Sequence, residues 1–272
     1  ESRAGLFLEG YPEKISVVDG EPLKLRTSTS AAEYSIEIAR IGLAREVVFQ
    51  KSGIPGGGVQ RIPENASSHG CGWPVSFEML VPQEWRSGYY SVVFRVADRG
   101  GVYVGRNRRT AESEAFFIVR PKEPGKESRI LFQLATNTYN AYTNWGGTSL
   151  YAYHGRAGMQ GYRVSFQRPL SSQFPSWELP LAAWAEENKI ALDYCANLDL
   201  EEHPELLAHY SLVLSVGHDE YWSGRQRLNV EIARERGVSL GFLSGNEVFW
   251  KVRFEDSPNS VNETNRVMVC YK

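Results

Sequence analysis

The feature that most constrains this chain is a change of pattern just after residue 120 of its 272 residues. Before it, short apolar-alternating runs at 14–18, 23–27, 34–41, 47–49, 75–81, 90–97 and 116–119 are separated by turn residues. Side chains alternate across a strand with a period of two, so each run predicts a strand with one buried face. Together they predict an all-β, immunoglobulin-like sandwich over residues 1–120. The Gly- and Pro-rich stretch 53–73 has no periodicity and reads as a long loop.

After the break the pattern is strand and helix in turn. Strands are expected at 130–134, 190–194, 212–216 and 238–243, and helices near 181–188, 204–209 and 224–236. Such alternation predicts βαβ units and a parallel α/β domain over residues 129–272, with helices on both faces of the sheet. The strands are near-continuous apolar runs, as burial on both faces requires. Ser223 suits the N-cap of the 224–236 helix, Leu228 and Ile232 share one of its faces, and Gly237 suits its C-terminal end. Pro180 fits a first helical turn. Between the halves, residues 121–128 (PKEPGKES) have the composition of a linker.

Charge and composition narrow the function. Thirty Lys+Arg against 32 Asp+Glu give a net charge of −2, which recruits neither nucleic acid nor an acidic membrane surface. No apolar run approaches the roughly 18 residues of a membrane span. Cys71, Cys195 and Cys270 are too few for a disulfide framework and fit a reducing compartment, so a soluble, cytoplasmic protein is expected. The chain opens at Glu1 without Met or leader, and the strand-like 266–272 ends without a turn or polar tail. It is therefore expected to be a piece of something longer, shortened at its C-terminus.

In an open parallel sheet the ligand crevice lies beyond the carboxyl ends of the strands. Three strands here run into unusual polar and aromatic clusters: 135–147 (ATNTYNAYTNWGG), 217–222 (GHDEYW) and 244–250 (SGNEVFW). His218 and Glu220 are two apart, so on a continuing strand they share a face, with Asp219 and Tyr221 opposite. The same two residues also suit a helix cap and a backbone hydrogen bond. No zinc pattern of the H-E-x-x-H or paired C-x-x-C kind occurs. There is no G-x-S-x-G, Cys195 lacks the flanking glycines of a nucleophile elbow, and Gly56, Gly57 and Gly58 are not followed by Lys-Ser/Thr. Asn65-Ala66-Ser67 and Asn262-Glu263-Thr264 match the glycosylation pattern by chance. Tyr90, alternating with Val92, Phe94 and Val96, suits a sandwich core, while Tyr139 falls in a loop beyond a strand.

These clusters, with 87–91 (SGYYS), 130–151 (ILFQLATNTYNAYTNWGGTSLY), 210–223 (YSLVLSVGHDEYWS) and 241–250 (GFLSGNEVFW), resemble the large (beta) subunit of N,N-dimethylformamidase and its wider family. The resemblance runs from about residue 87 onward. It implies a glutamine-amidotransferase-like α/β domain, and a mononuclear ferric iron held by two tyrosines and one glutamate. By motif the glutamate falls on Glu220, one tyrosine on Tyr139, with Tyr142 its rival, and the other on Tyr90. An insertion is expected around residues 97–110. His218 and Asn246 match the residues lining the metal.

Phenolate and carboxylate are hard anionic oxygen donors that suit ferric iron and disfavour zinc or copper. The implied activity is hydrolysis of small amides, with His218 moving the proton and Asn246 holding the oxyanion. The rivals are a non-catalytic binding module that keeps the fold, and a zinc hydrolase using His218, Glu220 and another histidine such as His154. The implied partners are a small amide, further copies of the chain and a small companion subunit.

Overall fold

A computed structural model of the chain describes residues 6–97, 110–259 and 263–272. The expected insertion lies, apart from its two ends, outside the described residues, as does Asn262.

Alternating burial builds two sheets from the first 120 residues. Strands β1 (Leu8–Pro12), β2 (Ser16–Val18), β3 (Pro22–Thr29), β4 (Glu33–Ile41), β5 (Arg45–Pro55), β6 (Val75–Leu80), β7 (Gly88–Ala97) and β8 (Thr110–Arg120) form a three-stranded sheet, β1-β3-β6, and a five-stranded one, β2-β8-β7-β4-β5. One face of the larger sheet, with Ile36, Ile38, Tyr90, Val92, Phe94 and Phe117, shares a core with Leu8, Leu23, Leu25 and Phe77 of the smaller. The two sheets therefore form a sandwich. Strand β1 was not legible from its sequence, because Gly10 and Pro12 look like turn residues. A Cβ on Gly10 would lie 2.8 Å from the Phe94 ring, so the glycine permits this close approach. The loop between β5 and β6 carries one short helix, α1 (Ala66–His69).

The second half supplies β9 (Ile130–Leu134), α2 (Thr136–Tyr142), β10 (Arg163–Ser165), α3 (Phe174–Trp177), α4 (Leu179–Glu187), β11 (Asp193–Ala196), α5 (Asn197–Glu202), β12 (Leu212–His218), β13 (Tyr221–Ser223), α6 (Gly224–Glu235), β14 (Ser239–Gly245), β15 (Trp250–Glu255) and β16 (Val267–Val269). The parallel sheet has the order β11-β9-β12-β14. From β9 the chain leaves toward β11, and from β12 toward β14. The order therefore switches between β9 and β12, and the carboxyl ends of these two strands are where an open parallel sheet places its ligand site. A mixed sheet, β10-β16-β15-β13, flanks that end.

Three sequence expectations need correction here. The strand expected at 190–194 begins instead at Asp193, since Ile190 still bonds the carbonyl of Ala185 as it leaves α4. On α6 the Ser223 hydroxyl does accept from Gln226 N at 2.9 Å, but the buried face is Gln226, Val230 and Ala233, while Leu228 is exposed. Burial on both faces holds for β9 and β11 and fails for the edge strand β14, where Phe242 and Leu243 are exposed.

The outer face of the five-stranded sheet is also buried. Tyr89, Phe116 and Ile118 join Phe132, Leu134, Tyr139, Phe174, Tyr194 and Val216 in one apolar cluster. Polar ties reinforce it: Arg40 with Glu186 at 2.5 Å, Arg120 with Asp199 at 2.9 Å, and Tyr194 N donating to Ser87 Oγ at 2.8 Å. Cys71, Cys195 and Cys270 are free thiols, all buried, in three different clusters. Among the described residues no helix is long and apolar enough to cross a membrane.

Candidate metal and catalytic site

Helix α2 follows β9 at that carboxyl end and is buried from Thr136 to Ala141 despite its polar sequence. Hydrogen bonds satisfy most of it, though Asn137 Oδ1 is buried without a partner. Asn197 Oδ1 accepts from Asn137 N at 3.0 Å, and Asn137 Nδ2 donates to the Tyr221 carbonyl at 2.9 Å. Thr138 Oγ1 accepts from Glu220 N at 3.0 Å, which fixes the Glu220 backbone against the helix. The buried guanidinium of Arg168 binds the carbonyls of Asn140, Thr143 and Trp145 and so holds the turn after α2.

Glu220, 4% exposed, is the centre of the site. Tyr142, at the end of α2, donates to its Oε2 at 3.1 Å. Tyr151 donates to both carboxylate oxygens, at 2.9 and 2.8 Å, and its own hydroxyl lies 2.6 Å from that of Tyr221. His218 Nε2 stands 3.5 Å from Glu220 Oε2, as the two-residue spacing predicts. The Asn246 amide donates to the same nitrogen at 3.1 Å when the neutral ring carries its proton on Nδ1. The ammonium of Lys272 lies 3.3 Å from the centre of the Tyr151 ring, with the Tyr221 and Trp250 rings at 5.0 and 5.2 Å, a cation in a partly buried aromatic cage. Trp177 stands beside His218, its ring centre 6.4 Å away.

Tyr90 and Tyr139 are elsewhere. Tyr90 lies on the inward face of β7, clustered with Trp85 and Phe117, and its hydroxyl donates to the Arg86 carbonyl at 2.6 Å. Strand register commits it to the sandwich core. Tyr139 packs into the cluster shared by the two halves and donates to the buried Glu178. The structure thus brings Glu220, His218 and Asn246 together, sets Tyr142, the rival of Tyr139, and Tyr151 against Glu220, and leaves Tyr90 and Tyr139 away from it. Tyr151 and Tyr221 were missed as site residues, although Tyr151 closes the SLY end of the stretch that carries the resemblance. Asp219 does point away, accepting from Gln133, Asn197 and Ser215. Tyr221 does not, because the chain turns into β13.

The electrostatics suit a cation. Burial, with Glu220 adding to it, pushes the Tyr142 phenol up to about 12, and burial carries Tyr151 and Tyr221 higher. All three stay protonated at neutral pH unless a strongly charged ion faces their oxygens. Two phenols and a carboxylate converging on one point form a hard, all-oxygen donor set. His154 meets Tyr142 edge to face, and among the described residues no three His, Cys, Asp or Glu side chains could hold a metal ion.

Fold and site together define a strand-rich α/β protein with a tyrosine- and carboxylate-lined centre at the switch point of a parallel sheet. The chain belongs to the family described as N,N-dimethylformamidase beta subunit-like, C-terminal, which it matches over residues 35–272. The N,N-dimethylformamidase beta subunit of Alcaligenes sp is 25% identical over 242 residues, covering 72% of this chain and 30% of that protein. The beta subunit of the same name from Paracoccus aminophilus is 25% identical over 228 residues, covering 67% and 28%. The chain thus spans less than a third of the length of the curated relatives it matches. A solved family 123 glycoside hydrolase from Clostridium perfringens overlaps 51% of this chain and 32% of its own at 10% identity and a TM-score of 0.20, too little to carry an argument.

Proposed function

We propose that this chain carries the iron-binding and catalytic part of a hydrolase of small amides. The convergence of Tyr142, Tyr151 and Glu220, with His218 and Asn246 on the same rim, carries this reading. The family and the two relatives named as dimethylformamidase subunits support amide hydrolysis as the reaction class. The sandwich is read as immunoglobulin-like and the second half as glutamine-amidotransferase-like.

Tyr142, Tyr151 and Glu220 would hold a ferric ion. Bound there, it would supply Lewis acidity toward an amide carbonyl and acidify water. The chain's own residues account for the rest. His218 Nε2, on the rim beside Glu220, takes a proton from attacking water and returns one to the leaving amine. Asn246 orients that ring and has a donor to offer a developing oxyanion. Tyr221 fixes the Tyr151 hydroxyl. Lys272 adds positive charge beside the anionic donors, favouring a substrate carbonyl oxygen and then a carboxylate product. A cytoplasmic location, self-association and a small companion subunit complete the proposal; the relatives' name, beta subunit, supports the last.

The test is to load the chain with ferric iron and follow metal content, visible absorption and release of amine from N,N-dimethylformamide. Stoichiometric iron, a phenolate charge-transfer band and amine release are expected. A colourless protein that retains zinc instead would overturn the assignment.

A further inference from the structure

Between β14 and β15 the chain makes a turn that no ordinary loop chemistry explains. Asn246 and Val248 both sit in the left-handed region, at φ of 50° and 51°, a conformation that a β-branched residue such as Val248 rarely adopts. Glu247 stands between them, and both its carboxylate oxygens are buried without a hydrogen-bond partner. The turn is stitched to the site: Val248 N donates to the Asp219 carbonyl at 3.0 Å, Trp250 N to the Glu220 carbonyl at 2.8 Å, and the Asn246 amide to His218.

We propose that Glu247 is a positioning residue whose neutral form seats this turn, and with it Asn246 against His218. The charged group facing it is Asp219, from the turn after β12, and the polar one is Ser215 of β12 itself. Burial, then the charge of Asp219, push the Glu247 carboxyl up to about 8, while Ser215 pulls the other way. Asp219 accepts from Gln133, Asn197 and Ser215, whereas the one donor facing Glu247, Ser215, already gives its hydroxyl proton to Asp219. The shared proton therefore resides on Glu247. Ionised, it would place a second charge against Asp219 with no hydrogen bond to hold it, and the strained turn would leave its seat. This rests on the amide hydrolase reading only for its effect on rate.

The test follows the backbone amide signals of Val248 and Trp250 by NMR in the metal-free protein, from about pH 6.5 to about pH 9.5. One transition near pH 8 is expected in the wild type, absent in Glu247→Gln, which carries the neutral shape at every pH. If that variant does not fold, Asp219→Asn serves, since removing the facing charge should lower the midpoint by about a pH unit or more. In the iron-loaded protein the rate should fall about tenfold per pH unit above 8, and stay level in Glu247→Gln. A wild type without the transition, a transition that survives Glu247→Gln, or a midpoint unmoved by Asp219→Asn would each overturn the inference. The transition without any amide hydrolysis would leave it standing and remove only the enzymatic reading.

Discussion

Tyr151 places its hydroxyl 2.9 Å from one oxygen of Glu220 and 2.8 Å from the other. A phenol so placed shares its single proton between the two carboxylate oxygens. Tyr142 offers a second oxygen from another element of the chain. Tyr142→Phe and Tyr151→Phe should therefore each weaken iron binding by more than the ~10–100-fold cost of losing an outer partner, and bleach the charge-transfer band. Tyr90→Phe and Tyr139→Phe should keep both metal and colour. Titrating iron into each variant and reading metal content and absorbance decides the donor set; loss of iron in Tyr90→Phe would restore the motif-based assignment.

Glu178 gives a stability prediction with a definite sign. It is fully buried, and burial pushes its carboxyl from 4.5 up to about 7, against the hydroxyl of Tyr139, which bonds it. A raised carboxyl favours the folded state while protonated, so its contribution is complete below about pH 4.5 and is lost as pH rises to about 7. The difference corresponds to about 3 kcal/mol. Glu178→Gln should remove that share of the decline, measured as unfolding free energy at pH 5 and pH 8. An unchanged pH dependence would show that the proton is held elsewhere.

Gly217, at φ of 87°, lies where an added Cβ would meet the Cβ of Trp177 at 2.4 Å. Gly217→Ala should cost about 1–3 kcal/mol through overpacking and backbone strain, and should displace Trp177 from His218. Gly20→Ala, also at positive φ but with nothing within 4 Å, is the control and should lose less. Thermal denaturation of both, with Trp fluorescence of the first, reads the two effects.

The fragment Arg129 to Lys272 contains every proposed donor, yet it should not fold alone. Without the five-stranded sheet it would expose Phe132, Leu134, Phe174 and Tyr194, and lose the Glu186 and Tyr194 N contacts to Arg40 and Ser87. A fragment with no cooperative unfolding transition and strong binding of a hydrophobic dye is expected. A sharp transition would show that the shared core is dispensable.

What the sequence could and could not reveal follows from these contacts. The strand at 130–134 and the Ser223 cap are local features, an apolar run and a hydroxyl three residues before an orphan amide, and both were legible. Helix α2 was not, because its Thr- and Asn-rich text resembles a loop until Asn197, Tyr221 and Glu220 accept or supply its hydrogen bonds. Within that helix Tyr139 and Tyr142 are three apart, close neighbours on its surface, so spacing alone could not say which would face Glu220 and which Glu178. Tyr90 was already ambiguous in sequence, and its register on β7 decided it. The clusters beyond the strands were visible as composition; which oxygens meet depends on contacts between residues up to 78 apart.

The three free thiols turn the molecule into its own clock. Cys71 lies with Tyr11 and Trp73, Cys195 within the parallel sheet, and Cys270 beside the sheet that flanks Glu220. Burial raises the pKa of each, so a thiol reagent finds them slow and sealed off until the surrounding layer opens. Labelling followed by mass spectrometry would therefore yield three separate opening rates from one sample, without an added probe. Iron bound at Glu220 should slow that of Cys270 most.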